Sequence, residues 1–444
     1  MKRRDFIRTT GLGAAVLSAP AGLATSTAAT ARGRIIPPDQ KLRIACIGVG
    51  GQGGRDVHGV GKEKVVALCD VDRERAAGAF KRYSDTPQYA DYRKMLKEMD
   101  EQIDAVTVST PDHTHFPAAM MAIEMGKHVF VQKPLAHTVW EARQLRLAAR
   151  KQRVITQMGN QGHAGEGTRL VREWVKAGVI GPVREVHAWS DHHGKGAHKF
   201  MDKRPTETPP VPETLDWNLW LGVAPERPYH PIYVPFNWRG WWDFGSCALG
   251  DMGCHVMDAP FWALDLESPT SVEAETAEVF AETGPAWSIV TWQFPARGDM
   301  PPVKFVWYDG KKQPPRPKEL GAGEKLAGHG FLLIGEKGVI YDPSAYCRSP
   351  RLIPESRMKE MRSKLPPKTL PRIKGGHYGE WIQACKGGPM PGSNFEHSGP
   401  LTEMVQLGNV AIRTGSKIGW NAENLRCTNL PEANRLVNKN YRTF

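Results

Sequence analysis

The chain has 444 residues, of which 40% are hydrophobic and 24% are charged; this composition excludes bulk disorder and leaves room for two or three domains. The formal net charge is +12, but the basic residues are spread along the sequence, which argues against a nucleic-acid-binding module. The seven cysteines include no CxxC pair, so zinc-ribbon spacing is absent.

The N-terminal segment is typical of an export signal. The pair Arg3-Arg4 is followed by an uncharged stretch from Gly11 to Ala24 and by the small-residue sequence Ala29-Thr30-Ala31. We therefore predict a twin-arginine signal peptide over residues 1–31, and an exported protein of the periplasm or cell envelope. The alternative is an ordinary secretory signal or a retained anchor. No later run of about 18 apolar residues exists, so we predict no stable membrane span in the mature chain.

Residues 41–160 alternate between predicted strands and predicted helices. The predicted strands are 41–47, 64–69, 104–110, 127–131 and 154–158, and the predicted helices are 72–83, 91–98, 113–125 and 138–151. This alternation predicts an α/β domain with a doubly wound, parallel Rossmann sheet, which binds ligands at the carboxyl ends of its strands. Cys46 and Cys69 fall in predicted buried strands and should be core thiols.

A different pattern begins after Gly159. A helix at 168–177 is followed by predicted strands at 183–189, 271–280, 287–294, 303–308 and 330–334, and by a hairpin turn at 335–338. Residues 343–375 are basic and rich in proline, which is typical of a surface loop. We predict that residues 161–444 form a second, substrate-binding α+β domain with an open, mainly antiparallel sheet.

A glycine-rich segment follows the first predicted strand. Residues 48–53 read Gly-Val-Gly-Gly-Gln-Gly, which places the G-x-G-x-x-G pattern at Gly48, Gly50 and Gly53. In such a turn the glycines allow the backbone to approach a dinucleotide pyrophosphate at the N-terminus of the following helix. We predict that this loop binds the cofactor, with Gly51 and Gln52 contributing. The alternative is a glycine-rich turn that binds no ligand.

An acidic residue, Asp70, ends the predicted strand that follows the glycine-rich segment, at the distance from Gly48 that is typical of dinucleotide-binding folds. We expect its carboxylate to accept hydrogen bonds from the adenosine ribose hydroxyls and to repel a 2′-phosphate, which favours NAD over NADP. The nearby basic residues Arg73 and Arg75 keep NADP open as the alternative.

Two further segments carry groups suited to acid–base chemistry. Lys133, in Gln132-Lys133-Pro134, ends a predicted parallel strand and should point into the ligand crevice, although such a lysine can also simply be solvated. Asp251 and His255 are spaced i, i+4, so a helix would place them on one face, with Asp258 at i+7 on the same face. A carboxylate and an imidazole there can bind a hydroxyl and remove its proton. The alternative is a capping Asp251 and a core His255.

The order and spacing of these segments resemble the glucose–fructose oxidoreductase, inositol dehydrogenase and rhizopine-catabolism (Gfo/Idh/MocA) family. That family has a strand followed by GxGxxG, a Thr-Pro-(Asn/Asp)-x-x-His segment, a Glu-Lys-Pro segment and a helix with Asp-x-x-x-His. The corresponding segments here are Thr110 to His115, Gln132 to Pro134, and Asp251 to His255. The resemblance extends over roughly residues 41–340.

The resemblance implies a role for each matching residue. Lys133 would bind the reacting hydroxyl and the nicotinamide ribose, Asp251 would bind substrate hydroxyls, and His255 would accept the proton. The residues implied to line the cofactor cleft are Thr110, Pro111, His115 and Gln132. One departure matters: Gln132 replaces the family's glutamate, and an amide cannot supply the negative charge that would raise the pKa of Lys133, so the resemblance leaves open how Lys133 is tuned.

The substrate pocket is predicted to differ from that of many family members. Residues 159–163 carry Asn160 where many members have an aromatic or basic residue, and Trp238 and Arg239 lie in a tryptophan-rich stretch. Indole rings can pack against the C–H faces of sugars, but they can equally serve to pack large loops. We expect Asn160, Trp238 and Arg239 to contact substrate. His192 and His193 beside Asp191 lack a partner at metal-ligand spacing, so we predict no metal.

The resemblance implies an NAD-dependent oxidoreductase that transfers hydride between nicotinamide and a hydroxyl carbon of a sugar or glycoside. One alternative is a glycoside hydrolase that oxidises its substrate transiently with NAD and then eliminates the aglycone. Another is a binding protein or sensor that retains the fold without catalysis, against which the three intact residues Lys133, Asp251 and His255 argue. We also expect identical chains to assemble into a homo-oligomer.

Overall fold

The computed structural model describes residues 33–191 and 203–444. The predicted signal peptide at 1–31, together with His192 and His193, lies outside these described residues. Within them, no helix is both long enough and apolar enough to cross a membrane.

The first sheet confirms the predicted parallel Rossmann architecture. It has six parallel strands in the order β3-β2-β1-β4-β5-β6: β1 (Arg43–Ile47), β2 (Lys64–Cys69), β3 (Gln88–Tyr89), β4 (Ala105–Val108), β5 (His128–Val131) and β6 (Thr156–Met158). The helices between them are α1 (Gln52–Val60), α2 (Arg73–Arg82), α3 (Tyr92–Glu98), α4 (Asp112–Glu124) and α5 (Val139–Gln152). β1 and β4 are adjacent although β2 and β3 come between them in the chain, so the strand order reverses at this point and opens a crevice.

Local capping explains why the predicted boundaries of α2 and α5 lie within one residue of the observed ones. Asp72 caps α2 by accepting hydrogen bonds from the backbone N–H groups of Glu74 and Arg75. Thr138 and Glu141 form a capping box at the start of α5. Each cap satisfies donors that the first helical turn leaves unpaired, so the sequence signal and the structural boundary coincide.

The second sheet is mainly antiparallel, as predicted. Its nine strands lie in the order β13-β12-β11-β7-β10-β9-β8-β14-β15, and the pair β7–β10 is parallel. The strands are β7 (Val183–Ser190), β8 (Ser271–Thr276), β9 (Ser288–Phe294), β10 (Val303–Asp309), β11 (His329–Gly335), β12 (Gly338–Asp342), β13 (Arg351–Ile353), β14 (Ile418–Asn421) and β15 (Arg426–Cys427). β9 alternates buried and half-buried residues, which is the pattern of a strand with one face on a core.

The helices of this second part are mostly short. They are α6 (Glu166–Lys176), α7 (Trp217–Leu221), α8 (Cys254–Val256), α9 (Asp258–Ala263), α10 (Glu355–Met361), α11 (Gly376–Cys385), α12 (Phe395–Thr414) and α13 (Asn434–Val437). The prediction of a surface loop over 343–375 was wrong, because this segment contains β13 and α10 and buries Cys347. Its prolines obscured the short strand that pairs with β12.

Two late helices pack back on the first sheet. Trp381 of α11 is fully buried, and its ring centroid lies 5.7 Å from that of Phe130 on β5. Arg143 of α5 donates two hydrogen bonds, of 2.7 and 2.6 Å, to Glu403 of α12. The C-terminal part of the chain therefore completes the core around the parallel strands as well as forming the second sheet.

Candidate active site

A cavity of about 600 Å³ opens at the carboxyl ends of the parallel strands. Its wall combines the glycine loop with residues from both parts of the chain. Predicted site residues in the wall are Gly48, Gly50, Gly51, Gln52, Asp70, Thr110, Pro111, Gln132, Lys133, Trp238, Arg239, Asp251 and His255. The structure therefore brings together groups that lie far apart in the sequence, from the glycine loop to the segment that carries His255.

The glycine loop has the geometry that its pattern predicts. Gly48 adopts a φ of 75°, in the left-handed region that favours glycine. A Cβ at Gly53 would overlap the carbonyl oxygen of Gly48, so only glycine allows α1 to begin this close to β1. Gly53 itself is buried against the strand and supports the loop from behind. The requirement for glycine here is steric, independent of any ligand.

The start of α1 fits an anionic ligand. Within the described part of the chain no side chain caps this helix at Gly51, so the N–H groups of its first turn are left for a ligand in the cavity. Arg75 lies beside the same loop, with its guanidinium 3.0 Å from where a Cβ of Gly51 would be. A pyrophosphate would find both backbone donors and a cation here, so the residues fit a dinucleotide.

Asp70 has two sets of partners that the sequence did not predict. One carboxylate oxygen accepts hydrogen bonds from the N–H groups of Val49 (2.8 Å) and Gly50 (3.0 Å), and the other accepts from the N–H of Asp72 (3.0 Å). Burial raises the pKa of Asp70, although these backbone donors oppose that rise. Asp70 therefore anchors the glycine loop in addition to facing the cavity.

The Lys133 side chain lines the cavity and contacts Asp251. Its Nζ donates to the carboxylate of Asp251 and, at 3.0 Å, to the Asp251 carbonyl oxygen. Arg239 approaches the same carboxylate, with Nε 3.6 Å from Oδ1. The two cations and the carboxylate form a buried polar centre that fixes the ammonium group in one place. Lys133 is therefore paired with Asp251 and is not simply solvated, which was the alternative.

His255 is 6% exposed and lines the cavity beside Asp251. Burial, with a further contribution from the positive charge of Lys133, lowers the pKa of His255 to about 3. Its Nδ1 is buried and has no hydrogen-bond partner within residues 33–191 and 203–444. The imidazole that lines the cavity is neutral, so it can accept a proton from a ligand.

The segment that carries these two residues differs from the predicted helix. Residues Leu249–Gly253 form a π-helical turn, followed by α8 and α9. The wider π turn changes which residues share a face, since it takes more residues per turn than an α-helix. The prediction that Asp258 lies on the same face as Asp251 and His255 was therefore wrong: Asp258 contacts His163 and His397 instead.

Two other predicted contact residues lie behind the wall. His115 is buried, with Nδ1 2.8 Å from the carbonyl oxygen of Pro134 and Nε2 2.8 Å from that of Thr110. It therefore ties together the two loops that carry cofactor-cleft residues. Asn160 is 1% exposed and accepts a hydrogen bond from Ser393, and its neighbour Gln161 lies in the wall instead.

An aromatic group borders the cavity near Asp251. The guanidinium of Arg239 lies 4.3 Å from the ring centroid of Trp238 and 4.1 Å from that of Phe236. Tyr346 lies in the wall, and its ring meets that of His255 edge-on at 4.9 Å. Sequence reasoning missed Tyr346, since it falls in the segment interpreted as a surface loop.

Asp112 is a further buried acid in the wall that the sequence did not single out as a site residue. It begins α4 and is 4% exposed. Burial raises its pKa to about 7, against the positive charge of Lys133 and a hydrogen bond with Ser246. Its position directly after Thr110-Pro111 was the available signal, because that segment was already expected to line the cleft.

Comparison with known families agrees with this geometry. Residues 42–160 match the family model described as an oxidoreductase family with an NAD-binding Rossmann fold. Residues 165–299 match the C-terminal alpha/beta domain model of the same family. The chain belongs to the Gfo/Idh/MocA oxidoreductase family.

Several relatives are similar over about half of their length. A glycosyl hydrolase family 109 protein of Shewanella pealeana is 30% identical, over 46% of this chain and 49% of that protein. A levoglucosan dehydrogenase of Pseudarthrobacter phenanthrenivorans is 28% identical, over 43% of this chain and 40% of that protein. A solved structure with a similar fold is the WlbA dehydrogenase from Bordetella pertussis in complex with NADH and UDP-GlcNAcA. The similarity covers 86% of this chain and 99% of that chain, with a TM-score of 0.59 and 16% identity, which shows a shared fold.

Gln132, which replaces the glutamate of the Gfo/Idh/MocA pattern, contacts a carboxylate on another element. Its amide nitrogen lies 3.0 and 2.9 Å from the two oxygens of Asp56 on α1. Ser109 and Tyr378 also donate to Asp56, each at 2.6 Å. The buried negative charge behind the site therefore lies on α1, and the amide at position 132 is one of its donors.

Proposed function

We propose that this protein is an NAD-dependent oxidoreductase that transfers hydride between nicotinamide and a hydroxyl carbon of a sugar or glycoside. The observation that carries the proposal is the convergence of Lys133, Asp251 and His255 in the same cavity as the glycine loop. The hydride chemistry itself belongs to the cofactor when bound. The protein contributes binding, orientation and a group that takes up the hydroxyl proton.

Each of the three side chains has a distinct task in this proposal. Lys133 binds the reacting hydroxyl oxygen, and its contact with Asp251 keeps the ammonium group aligned. His255 accepts the hydroxyl proton, because burial keeps its imidazole neutral. Trp238 and Arg239 border the substrate end, where the indole face can pack on a sugar ring and the guanidinium can bind hydroxyl or carboxylate oxygens.

The wall of the adenosine end supports NAD rather than NADP. Asp70, Asp72 and Asp91 all line it, and their carboxylates would repel a 2′-phosphate. Arg73 and Arg75 had left NADP open as the alternative. Arg75 lies in the cavity wall, where its guanidinium is beside the glycine loop.

Purified protein should bind NAD. Denaturation followed by assay of the released nucleotide, together with titration of added NAD and NADP, tests this; binding of neither would contradict the proposal.

A second candidate is an NAD-dependent glycoside hydrolase. It is favoured by the similarity to the family 109 glycosyl hydrolase protein of Shewanella pealeana, which spans about half of each chain. Oxidising a ring hydroxyl to a ketone acidifies the neighbouring C–H, so an enzyme of this kind can then eliminate the aglycone, add water and reduce the product. Both candidates begin with the same oxidation.

Reaction in heavy water with aryl glycosides and disaccharides separates the two candidates. Net oxidation should give a keto-glycoside with stoichiometric NADH, or reduction of a second added carbonyl. Release of free sugar that carries deuterium beside the oxidised carbon, with no net NADH, would establish the hydrolase. If no glycoside or free sugar reduces the bound cofactor, the proposed substrate class is wrong.

We also propose that the protein is exported through the twin-arginine pathway and that identical chains assemble. The first proposal rests on the sequence of residues 1–31, and a reporter fusion compared with an Arg3→Lys, Arg4→Lys variant tests it. Light scattering of the purified protein tests the second, and a monomeric mass would contradict it.

A further inference from the structure

Three side chains from separate segments meet behind the active site. His163 lies in a 3-10 turn after β6, Asp258 begins α9, and His397 lies in the first turn of α12. Nδ1 of His163 is 3.0 Å from both carboxylate oxygens of Asp258, and Nε2 of His397 is 2.7 Å from Oδ1. One donor atom from each residue lies within 4.8 Å of the others. We call this the His163–Asp258–His397 cluster.

The cluster holds a buried carboxylate that forms no ion pair with a lysine or arginine of the described residues. The side chains of His163 and Asp258 are 1% and 3% exposed. The charge of Arg169 acts on Asp258 from a distance, but its ion-pair partner is Glu380, at 3.6 Å. Arg172, near His397, pairs with Asp265 at 2.8 Å. A carboxylate removed from water needs compensation by a positive charge or by several hydrogen bonds, and among the described residues the side chains that contact Asp258 are those of the two histidines.

We propose that the His163–Asp258–His397 cluster binds a divalent transition-metal ion, zinc by preference. Two imidazole nitrogens and one carboxylate oxygen form a ligand set typical of zinc and related ions. An ion about 2.0–2.2 Å from each donor needs each histidine nitrogen slightly farther from its carboxylate oxygen than the observed hydrogen-bond distance, and the two nitrogens no more than about 4.4 Å apart. The structure places all the donor atoms within 4.8 Å of one another. The side chain of His397 is 11% exposed, which gives the ion an approach from solvent.

The ion would have a structural role. Asp258 closely follows His255 in the chain, while His397 belongs to the long helix α12, which also packs against α5. An ion at the cluster would therefore fix the segment that carries His255 to α12 and to the turn after β6. This site is separate from the cavity that contains Lys133, and its test does not depend on the proposed oxidoreductase activity.

Metal analysis of purified, tag-free protein tests the proposal. We expect about one equivalent of zinc per chain after growth with zinc, its loss on treatment with a chelator, and a rise in Tm when zinc is returned. Cobalt(II) should bind the chelator-treated protein with a visible absorption band of four-coordinate nitrogen and oxygen ligation. His163→Gln and His397→Gln should each weaken zinc binding by about 100-fold or more, because each removes a ligand.

A buried histidine elsewhere supplies the control. His187 on β7 is bonded to the hydroxyl of Tyr308 at 3.0 Å and takes no part in the cluster, so His187→Gln should bind zinc as the parent does. Circular dichroism and NAD titration establish that each variant is folded. The alternative is a triad in which both histidines donate hydrogen bonds to Asp258 without an ion. Equal zinc content and an equal Tm response in the parent and in folded His397→Gln would establish that alternative and overturn the proposal.

Discussion

At the scale of single residues, the position of Lys133 depends on its partner. The sequence placed the lysine at the end of a parallel strand, and the structure adds the contact with Asp251 and the approach of Arg239. Geometry of this kind matters for catalysis because a misplaced proton acceptor or hydrogen-bond donor loses much of its effect. Variants of Lys133 and His255 should therefore lose turnover while the protein still folds.

We expect His255→Ala and Lys133→Ala each to lower kcat by about 100-fold or more, as removal of acid–base groups typically does. NAD affinity of His255→Ala should stay within about threefold of the parent, since this residue lies at the substrate end. Stopped-flow measurement of cofactor reduction and an NAD titration check both statements. His230→Ala, outside the cavity wall, is the control. Parent-like turnover of His255→Ala across pH would mean that another group accepts the proton.

Asp70 provides a second residue-level test. Asp70→Asn removes the charge, while its side-chain oxygen can still accept hydrogen bonds from the loop amides of Val49 and Gly50. We expect the preference for NAD over NADP to fall by about 10-fold, because repulsion of the 2′-phosphate is weakened. Dissociation constants from titration calorimetry measure the ratio. An unchanged ratio would assign the preference to Asp72 and Asp91.

The sequence predicted which residues line the cavity where a motif fixes their position relative to a strand. Gly48, Asp70 and Lys133 stand at fixed positions relative to strands, so their placement followed from the strands themselves. Tyr346 reaches the wall through the tertiary fold, and no spacing in the sequence indicated it as a site residue. Asp112 lies directly after Thr110-Pro111, within a segment that was expected to line the cleft, but was not itself singled out. Asn160 was predicted to contact substrate, but the chain turns so that Gln161 lines the cavity.

At the scale of elements, a single buried acid connects four segments. Asp56 on α1 accepts hydrogen bonds from Ser109 after β4, from Gln132 after β5 and from Tyr378 on α11. Burial raises the pKa of Asp56, and these donors oppose the rise. The glutamine at position 132 is thus matched to the carboxylate on α1, which explains how this chain departs from the Glu-Lys-Pro pattern without leaving the amide unpaired.

Gln132→Glu should destabilise the protein by about 2 kcal/mol or more at neutral pH, because it places a second buried carboxylate against Asp56. A buried acid whose pKa is raised in the folded state costs stability once it must ionise. The deficit should therefore grow as the pH rises from about 4, the pKa of a carboxyl group in the unfolded chain, towards neutrality. Denaturant unfolding across this range measures it. Adding Asp56→Asn to Gln132→Glu should restore most of the stability. A deficit independent of pH, or one that the second change leaves intact, would contradict this account.

The same scale shows why some elements could be predicted and others could not. The β/α alternation of residues 41–160 was evident because buried strands and capped helices repeat at short intervals. The helix α12 was missed because it contains Pro400 and buries polar residues such as Gln406 and Asn409, which weakens its amphipathic pattern. The π turn at Leu249–Gly253 has no sequence signature that separates it from an α-helix, so Asp258 was assigned to the wrong face.

At the scale of the whole molecule, the two sheets depend on a shared C-terminal segment. α11 and α12 follow the β11–β13 strands in the chain but contact the parallel sheet, and Phe395 of α12 donates its N–H to Thr156 on β6 at 3.0 Å. Residues 161–444 therefore include part of the core around the predicted cofactor-binding domain. The cavity lies between the two parts, so its shape requires both.

Trp381 connects α11 to the core of the first sheet. Trp381 is fully buried against Phe130 in the core that contains Ile44 and Cys46 of β1, although it lies near the opposite end of the sequence from that strand. We expect Trp381→Ala to lower the free energy of unfolding by about 3–5 kcal/mol, as large-to-small changes at buried tryptophan do. NAD affinity should fall with it, because β1 leads directly into the glycine loop.

Trp287 supplies the control, since it is half-buried beside the second sheet and its ring packs against the ammonium group of Lys312. Trp287→Ala should lower the free energy of unfolding by about 1 kcal/mol or less and leave NAD affinity unchanged. Denaturant unfolding and NAD titration of both variants measure these effects, and an equal loss in the two would mean that α11 contributes no more to the first sheet than a peripheral side chain does.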